Sequence, residues 1–257
     1  MQADQIDEIT RRNARLAEQA LDIHPDVQNV FCADSLLVYD KLLAFRDDPK
    51  LREAMDAVLQ ELRPLDQILY ANIIWRTHTQ LWAARHALHV EGDFVEMGVF
   101  QGYSAAVVAR YLDFAALDKS WYLYDTFEGI APDQENVLAR NAYLSERYKE
   151  SGLLAVVQRR FAAYPNVKVV QGRIPEILAT VCPEKIAFLH VDMTAAKAEH
   201  DGLVAAFDRI SVGGVIVFDD YGRIKYRENH QLIDRYLNPR SHFVLELPTG
   251  QGLVIRH

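Results

Sequence analysis

Five short apolar segments, separated by stretches with helical character, constrain the fold of this chain more than any other feature of its sequence. Each segment has the length of a β-strand, and helical segments lie between most of them. This alternation predicts a mostly parallel sheet that is covered by helices on both faces. The predicted strands are 94–97, 121–124, 167–170, 186–191 and 215–218.

Two further apolar segments near the C-terminus follow a different pattern. Residues 243–247 and 253–255 flank a turn that contains Pro248, Gly250 and Gly252, which is the pattern of a β-hairpin. Together with the five parallel strands, the hairpin predicts an α/β fold. We expect a Rossmann-like, mostly parallel, seven-stranded sheet that ends in an antiparallel C-terminal hairpin.

The N-terminal third of the chain is predicted to be helical and to lie outside the sheet. Asp34-Ser35 suits the N-cap of a first helix, and Asp48-Pro49 suits the start of a second one. A third helix is expected to stop near His89. We therefore predict two domains, a helical N-terminal extension or cap over residues 1–90 and a sheet domain over residues 91–257.

Composition and charge narrow the class of protein. The chain has 257 residues, half of them hydrophobic, and its 36 acidic against 28 basic residues give a net charge of −8, which argues against a nucleic-acid partner. Two cysteines, Cys32 and Cys182, suit a reducing compartment. The sequence has no apolar run long enough to span a bilayer and no signal-peptide pattern at its N-terminus. These features predict a cytoplasmic protein with no membrane partner.

The segment 94–104 joins the first predicted strand to a helix through a glycine turn. Gly98 allows a sharp turn and Gly102 allows close approach of a ligand, which predicts a nucleotide-type cradle. The carboxylate of Glu96 would repel a pyrophosphate, so a dinucleotide oxidoreductase is the least favoured hypothesis. The ligand should carry positive charge, as the ammonium and sulfonium groups of S-adenosylmethionine do. An ordinary strand–turn–helix with a chance acid is the alternative.

Acidic residues follow four of the five predicted parallel strands: Glu96, Asp125, Asp192 and the pair Asp219-Asp220. The carboxyl ends of parallel strands meet at one edge of a sheet, where ligands bind. Asp125 lies a little over twenty residues beyond Gly102, where a carboxylate accepts hydrogen bonds from ribose hydroxyls of an adenosyl group. The alternative is an acid that caps the next turn.

The acids after the fourth and fifth strands suggest a metal site. Asp192, Asp219 and Asp220 would be neighbours, and three carboxylates with water suit Mg²⁺. Such a cation would hold an acceptor oxygen and lower the pKa of a hydroxyl. The alternative is that Asp219 caps a helix and Asp220 is solvated. His190 is expected to be a buried structural histidine, and His230 lies on the same rim.

The set of motifs resembles the class I S-adenosylmethionine-dependent methyltransferases and, more narrowly, the macrocin O-methyltransferase family of antibiotic sugar modification. The resemblance runs from about residue 75 to the C-terminus. Its most specific part is the Asp-Thr-Phe-Glu-Gly run at 125–129. The other segments that carry it are 76–79, 96–102, 189–192 and 217–222.

The resemblance implies an enzyme that transfers a methyl group from S-adenosylmethionine to a hydroxyl of a small molecule, a sugar or natural-product acceptor. It implies a Mg²⁺ site at Asp192, Asp219 and Asp220, with Asp192 doubling as general base. It also implies a homo-oligomer formed through the N-terminal helices. The cofactor contacts predicted from the motifs and the resemblance are Thr79, Glu96, Gly98, Gly102, Ser104, Asp125, Thr126, Gln171, Gly172 and Arg173.

The chain departs from the family in one place. The family pattern after the fourth strand is Asp-x-Asp-x-Tyr, and Thr194 and Ala196 replace its second acid and its tyrosine. This leaves the acceptor open and weakens the metal prediction. Two other hypotheses therefore stand: a metal-independent methyltransferase with His190 or His230 as base, and a non-catalytic partner subunit. The polar segment 131–150 is predicted to be a lid or substrate loop.

Overall fold

The chain divides into two compact units, Met1–Thr79 and Gln80–His257, in the computed structural model. The structure describes residues 11–17, 19, 30–131, 133–134 and 148–257. None of the described helices is both long and apolar enough to cross a membrane.

The N-terminal unit contains a β-hairpin where the sequence predicted the start of a helix. Strands β1 (Phe31–Ala33) and β2 (Leu36–Val38) pair antiparallel, with Ala33 opposite Leu36. Asp34 and Ser35 form the turn with φ values of 51° and 62°. Two consecutive residues in the left-handed region give the two-residue turn that matches the twist of paired strands. The predicted helix N-cap at 34–35 is therefore wrong.

Three helices follow the hairpin: α1 (Pro49–Leu59), α2 (Pro64–Ala71) and α3 (Ile74–Ala87). The predicted start of α1 is confirmed, because Asp48 Oδ1 accepts hydrogen bonds from the backbone N–H groups of Lys50 (2.9 Å) and Leu51 (3.2 Å). The single helix predicted after Pro64 is instead two helices. They are separated at residues 72–73, whose N–H groups bond to carbonyls three residues earlier.

The C-terminal unit contains a seven-stranded sheet, and every strand predicted from the sequence is present. The strands are β3 (Asp93–Met97), β4 (Trp121–Asp125), β5 (Val167–Gln171), β6 (Ile186–Val191), β7 (Ile210–Phe218), β8 (Leu245–Glu246) and β9 (Gly252–Ile255). Their order in the sheet is β5-β4-β3-β6-β7-β9-β8. The first five are parallel, whereas β9 runs antiparallel to both β7 and β8. The predicted fold class is confirmed.

The strand order reverses direction between β3 and β6. In open α/β sheets, ligands bind in the crevice outside the carboxyl ends of the strands at such a switch point. After β3, the helices that the structure describes in this unit are α4 (Tyr103–Leu112), α5 (Leu153–Arg160), α6 (Ala196–Ala206) and α7 (Arg227–Leu237). Of these, α4 begins just beyond β3 and α6 just beyond β6, so both helix N-termini lie at the switch point.

The two faces of the sheet are buried by different side chains. On one face, Leu203 of α6 and Ile233 of α7 join strand residues such as Val191 in an aliphatic core. On the other face, the ring centroid of Phe94 lies 5.3–5.4 Å from those of Phe114, Trp121 and Phe188. Because strand side chains alternate between faces, Glu96 and His190 continue the aromatic face toward the carboxyl ends.

Candidate cofactor and acceptor site

The carboxyl ends of β3, β4 and β6 meet at Gly98. The Asp192 N–H donates to the Met97 carbonyl (2.8 Å), and the Gly98 N–H donates to the Tyr124 carbonyl (2.9 Å). Gly98 has a φ of 88°, and a Cβ at this position would lie 2.0 Å from the Asp192 carbonyl oxygen. Only glycine fits, so Gly98 is the residue that allows the strand ends to converge at the switch point.

The second glycine of the turn, Gly102, is the N-cap of α4, with a φ of 72° and no side-chain cap. A Cβ on Gly102 would lie 2.9 Å from the ring of Phe161, so packing also requires glycine there. Ser104 lies in the first turn of α4. The N–H groups of an uncapped first turn lack intrahelical partners and favour an anionic group.

Asp125 binds the glycine turn directly. Its Oδ2 accepts hydrogen bonds from the N–H groups of Val99 and Phe100, both at 2.8 Å, and its Oδ1 accepts one from Phe127 (2.7 Å). The carboxylate therefore joins the end of β4 to the turn after β3. Its predicted contact with a ribose remains a prediction.

The Asp-Thr-Phe-Glu-Gly run forms a tight turn, which explains why its residue types are so specific. Thr126 Oγ1 donates to the Gly129 carbonyl (2.6 Å) and accepts from the Glu128 N–H (3.3 Å). Phe127 and Gly129 have positive φ values, 55° and 92°. The run therefore needs a hydroxyl at its second position and a glycine at its last.

The end of β5 is hydrogen-bonded to this turn. Gln171 Nε2 donates to the Thr126 carbonyl (3.0 Å), and the Gly172 N–H donates to the Asp125 carbonyl (2.9 Å). Four of the predicted cofactor residues, one pair from each strand end, thus lie side by side.

Arg173 and Ile174, just after β5, bind the start of the segment predicted as a lid. Arg173 forms an ion pair with Asp133, and the guanidinium holds the pKa of that exposed carboxyl below its usual value. Gln134, which is buried, donates from Nε2 to the Ile174 carbonyl (2.7 Å). Arg173, a predicted cofactor contact, therefore has carboxylate partners in this structure, Asp133 and Glu176.

The end of the same segment is attached to the glycine turn. Gln101 Nε2 donates to Glu150 Oε2 (3.2 Å), and the ring of Tyr148 meets that of Phe100 edge-on, with centroids 5.2 Å apart. Most of the predicted lid, residues 135–147, lies outside the described residues.

Thr79, another predicted cofactor contact, belongs to the N-terminal unit. Its side chain is buried, and its hydroxyl donates to the Trp75 carbonyl one turn earlier in α3 (3.2 Å). Its role toward a cofactor remains a prediction.

Asp219 and Asp220 directly follow β7, and both are buried. Asp219 Oδ1 accepts a hydrogen bond from Gln251 Nε2 (2.9 Å), and Arg223 Nε lies 3.6 Å from Asp220 Oδ1. Gln251 was not predicted from the sequence. The signal available was the hairpin itself, because β9 pairs with β7 and brings residues next to Gly252 beside the end of β7.

His190 lies between two acids. Its Nδ1 is 3.6 Å from Glu96 Oε1, and its Nε2 is 3.9 Å from Asp219 Oδ1 and 2.8 Å from Gln80 Nε2. The ring is buried, as expected from the sequence. Burial alone would lower the pKa of His190, but the carboxylates of Asp219 and Glu96 outweigh it and raise the pKa to about 10.

Glu199 is a buried acid that the sequence analysis missed. Its Oε1 accepts a hydrogen bond from the Met193 N–H (3.3 Å). Burial raises the pKa of Glu199 to about 8; the Asn229 amide opposes this rise, and the negative charge of Asp220 adds to it. Nothing in the spacing of α6 marked it, because its surroundings come from residues distant in sequence.

Tyr226 connects the acidic groups of this region. Its phenol is buried, which raises its pKa, and Asp220, Asp192 and Glu199 add to the increase. Two of the three predicted metal acids, Asp192 and Asp220, therefore act on the same phenol, and Asp219 and Asp220 both act on Glu199. His230, the other candidate base, stacks on Tyr221 with ring centroids 4.2 Å apart.

The oxygen donors at Asp192, Asp219 and Asp220 are of the type that Mg²⁺ prefers. In the part of the chain that the structure describes, however, no three or more His, Cys, Asp or Glu side chains are arranged to hold a metal ion. Asp219 and Asp220 instead contact Gln251 and Arg223. Magnesium binding therefore remains a prediction.

Comparison with known proteins identifies the family. The sequence profile of macrocin O-methyltransferase (TylF) matches residues 79–241. This chain belongs to the macrocin O-methyltransferase family. The matched region begins within α3 and includes the glycine turn, the strand-end acids and α7, so every site residue predicted from the sequence lies inside it, whereas Gln251 lies beyond its end.

Two curated relatives match this chain over part of their own length. The chain is 30% identical over 159 residues to mycinamicin III 3''-O-methyltransferase of Micromonospora griseorubida, which covers 57% of this chain and 62% of the relative. It is 29% identical over 147 residues to demethyldecarbamoylnovobiocin O-methyltransferase of Streptomyces niveus, covering 52% of this chain and 54% of the relative. The match thus spans between half and two thirds of these relatives.

A solved structure confirms the fold. The O-methyltransferase NovP superposes with a TM-score of 0.62 and 21% sequence identity, covering 72% of this chain and 81% of that one. At this identity the likeness concerns the fold alone.

Proposed function

We propose that this member of the macrocin O-methyltransferase family is an S-adenosylmethionine-dependent O-methyltransferase that methylates a hydroxyl of a small natural-product acceptor, such as a sugar. The observation that carries the proposal is the glycine turn at the sheet's switch point, which is joined to the strand-end acids Glu96 and Asp125. Both relatives named above are called O-methyltransferases of small molecules.

Different residues around the switch point suit different chemical groups of S-adenosylmethionine. The Glu96 carboxylate favours a cationic ligand, and the uncapped N-terminus of α4 favours the methionine carboxylate. Asp125 is the group proposed for the ribose hydroxyls. When bound, the donor supplies a sulfonium methyl group, which passes in line to the acceptor oxygen and leaves S-adenosylhomocysteine.

On the acceptor side, Asp192 is proposed to take the proton of the hydroxyl that becomes methylated. It lies directly after β6, at the switch point, where its N–H is fixed by the Met97 carbonyl. Most of the rate enhancement would come from holding the two reactants in line, and proton removal would add to it.

The test of the proposed function is calorimetry with S-adenosylhomocysteine. We expect the wild type to bind, and Asp125→Ala to weaken binding roughly 10- to 100-fold, because a charged hydrogen-bond acceptor is lost. The matched control is Asp118→Ala, an exposed aspartate before β4, which should bind like the wild type. No binding by the wild type would refute the proposal.

Magnesium assistance is a separate part of the proposal. Asp192, Asp219 and Asp220 would hold the cation, which would hold the acceptor oxygen and lower its pKa. The effects of these acids on the pKa values of Tyr226 and Glu199 support it. Titration of the wild type with MgCl₂ should give a saturable binding heat, of either sign, that is absent in Asp220→Asn. The absence of a binding heat in both proteins would refute the magnesium part of the proposal and leave the methyl-transfer part intact.

A non-catalytic partner subunit is the second candidate, favoured by Thr194 and Ala196 in place of an acid and a tyrosine. It predicts that the protein binds S-adenosylhomocysteine but transfers no labelled methyl group to pools of sugars, phenols or macrolides.

Oligomerisation through the N-terminal helices is also proposed, and light scattering of the purified chain tests it independently.

A further inference from the structure

A continuous chain of buried polar side chains connects the end of β3 to the C-terminal hairpin. Every member has 5% or less of its surface exposed to solvent. Its members, in spatial order, are Glu96, His190, Asp219, Gln251 and Thr249, with Gln80 attached at His190. The methyl-transfer mechanism above uses Glu96 on the donor side and Asp219 on the acceptor side, but it assigns nothing to His190 between them.

The strand register places the first three members, Glu96, His190 and Asp219, in line. Glu96 of β3 is the Cα partner of His190 in β6, and Asp219 is the first residue after β7, which pairs with β6. One imidazole ring therefore faces both acids, through Nδ1 toward Glu96 (3.6 Å) and through Nε2 toward Asp219 (3.9 Å). The other end of the chain is fixed, because Gln251 donates to Asp219 (2.9 Å) and accepts from Thr249 (3.0 Å).

Packing alone does not explain a buried polar chain at this position. Two residues earlier on the same face of β6 is Phe188, and the Cα partner of His190 in β7 is Val217, so the face is otherwise filled by apolar side chains. Burying charged and polar groups without full pairing is costly, and apolar residues of similar size are often at least as stabilising. A shared histidine between two acids at the site is thus better explained by its effect on those acids.

We propose that His190 is a positioning residue that couples the donor side of the site to the acceptor side. The ring divides its interaction between Glu96 and Asp219. When the interaction of the ring with Asp219 is weakened, its interaction with Glu96 becomes stronger. The Glu96 carboxylate then attracts the positively charged donor less, and the affinity for the donor falls. The inference rests on the proposed function, because it takes Glu96 as a group facing the cofactor.

A double-mutant cycle read out by calorimetry with S-adenosylhomocysteine tests the coupling without a known acceptor. In the wild-type background, Asp219→Asn should weaken binding about 5-fold, at the lower end of usual coupling between sites. In the His190→Gln background, the same change should alter affinity by less than about 2-fold, because the connecting ring is gone. The control is Asp234→Asn, whose partners are Tyr221 and His230, and it should leave affinity unchanged in both backgrounds.

The outcomes separate the two proposals. A wild type that does not bind S-adenosylhomocysteine refutes the proposed function. A wild type that binds, together with an Asp219→Asn effect that is absent or equal in the two backgrounds, overturns the coupling and leaves methyl transfer intact. If His190→Gln does not fold, Glu96→Gln replaces it, because it removes the receiving carboxylate and should equally abolish the effect of Asp219→Asn.

Discussion

Gly98 is the single residue on which the geometry of the switch point depends most. It combines a positive φ with a carbonyl oxygen so close that no side chain fits. The sequence marked this glycine correctly, because a glycine turn after a strand is visible without the fold. The partner that makes it indispensable, the Asp192 backbone, was not visible, because it comes from a strand about ninety residues later.

Replacing Gly98 by alanine should destabilise the protein by roughly 3 kcal/mol or more, because both the clash with the Asp192 carbonyl and the left-handed backbone oppose a Cβ. The measurement is urea unfolding. Gly152→Ala is the matched control, because Gly152 has a φ of 76° but no atom within 4 Å of its ideal Cβ, and it should lose only about 1 kcal/mol. Equal losses in the two variants would contradict the close-approach argument.

At the scale of elements, the strands were predictable and the N-terminal hairpin was not. Apolar runs bounded by turns gave all five parallel strands and the C-terminal pair. The hairpin at 31–38 was missed because Asp34-Ser35 is a common start for a helix, and its strands have only three residues each. Glu199 and Gln251 were missed for a related reason: their neighbours are set by how α6 and β9 pack, which local patterns do not reveal.

Ser35→Gly should stabilise the hairpin by about 0.5–1 kcal/mol, because glycine adopts the observed φ of 62° without strain and Asp-Gly is a favoured two-residue turn. Thermal and urea unfolding measure the change. Ser35→Ala removes the same hydroxyl without relieving the backbone and should bring no gain. A loss of stability in Ser35→Gly would contradict the turn described for residues 34–35.

At the scale of the whole molecule, buried titratable groups make stability depend on pH. The pKa of Glu199 is about 4.5 when the chain is unfolded and about 8 when it is folded. Because its pKa is raised in the folded state, the contribution of Glu199 to the free energy of unfolding is fully present below about pH 4.5. It is lost as pH rises through about 8. His190, whose folded-state pKa is about 10, also loses its contribution to the free energy of unfolding as pH rises, but at higher pH.

Glu199→Gln should therefore be more stable than the wild type at pH 8, by roughly 2 kcal/mol or more, and the two should converge toward pH 5. The measurement is urea unfolding from pH 5 to 8 in the presence of a chelator, so that no cation alters the neighbouring acids. The matched control is Glu228→Gln, at an exposed glutamate, and it should show the same dependence of stability on pH as the wild type. Parallel curves for Glu199→Gln and the wild type would show that Glu199 is not the group responsible.

The attachments on either side of residues 135–147 have a consequence for how this protein can diversify. Gln134 is bound to the chain after β5, and Glu150 to the turn after β3, so both junctions are fixed by groups that do not depend on the intervening sequence. We therefore expect that the thirteen positions between these two attachments can be exchanged without breaking either of them. Under the proposed function, chimaeras that carry the corresponding stretch of another family member should keep their affinity for S-adenosylhomocysteine while their choice of acceptor changes.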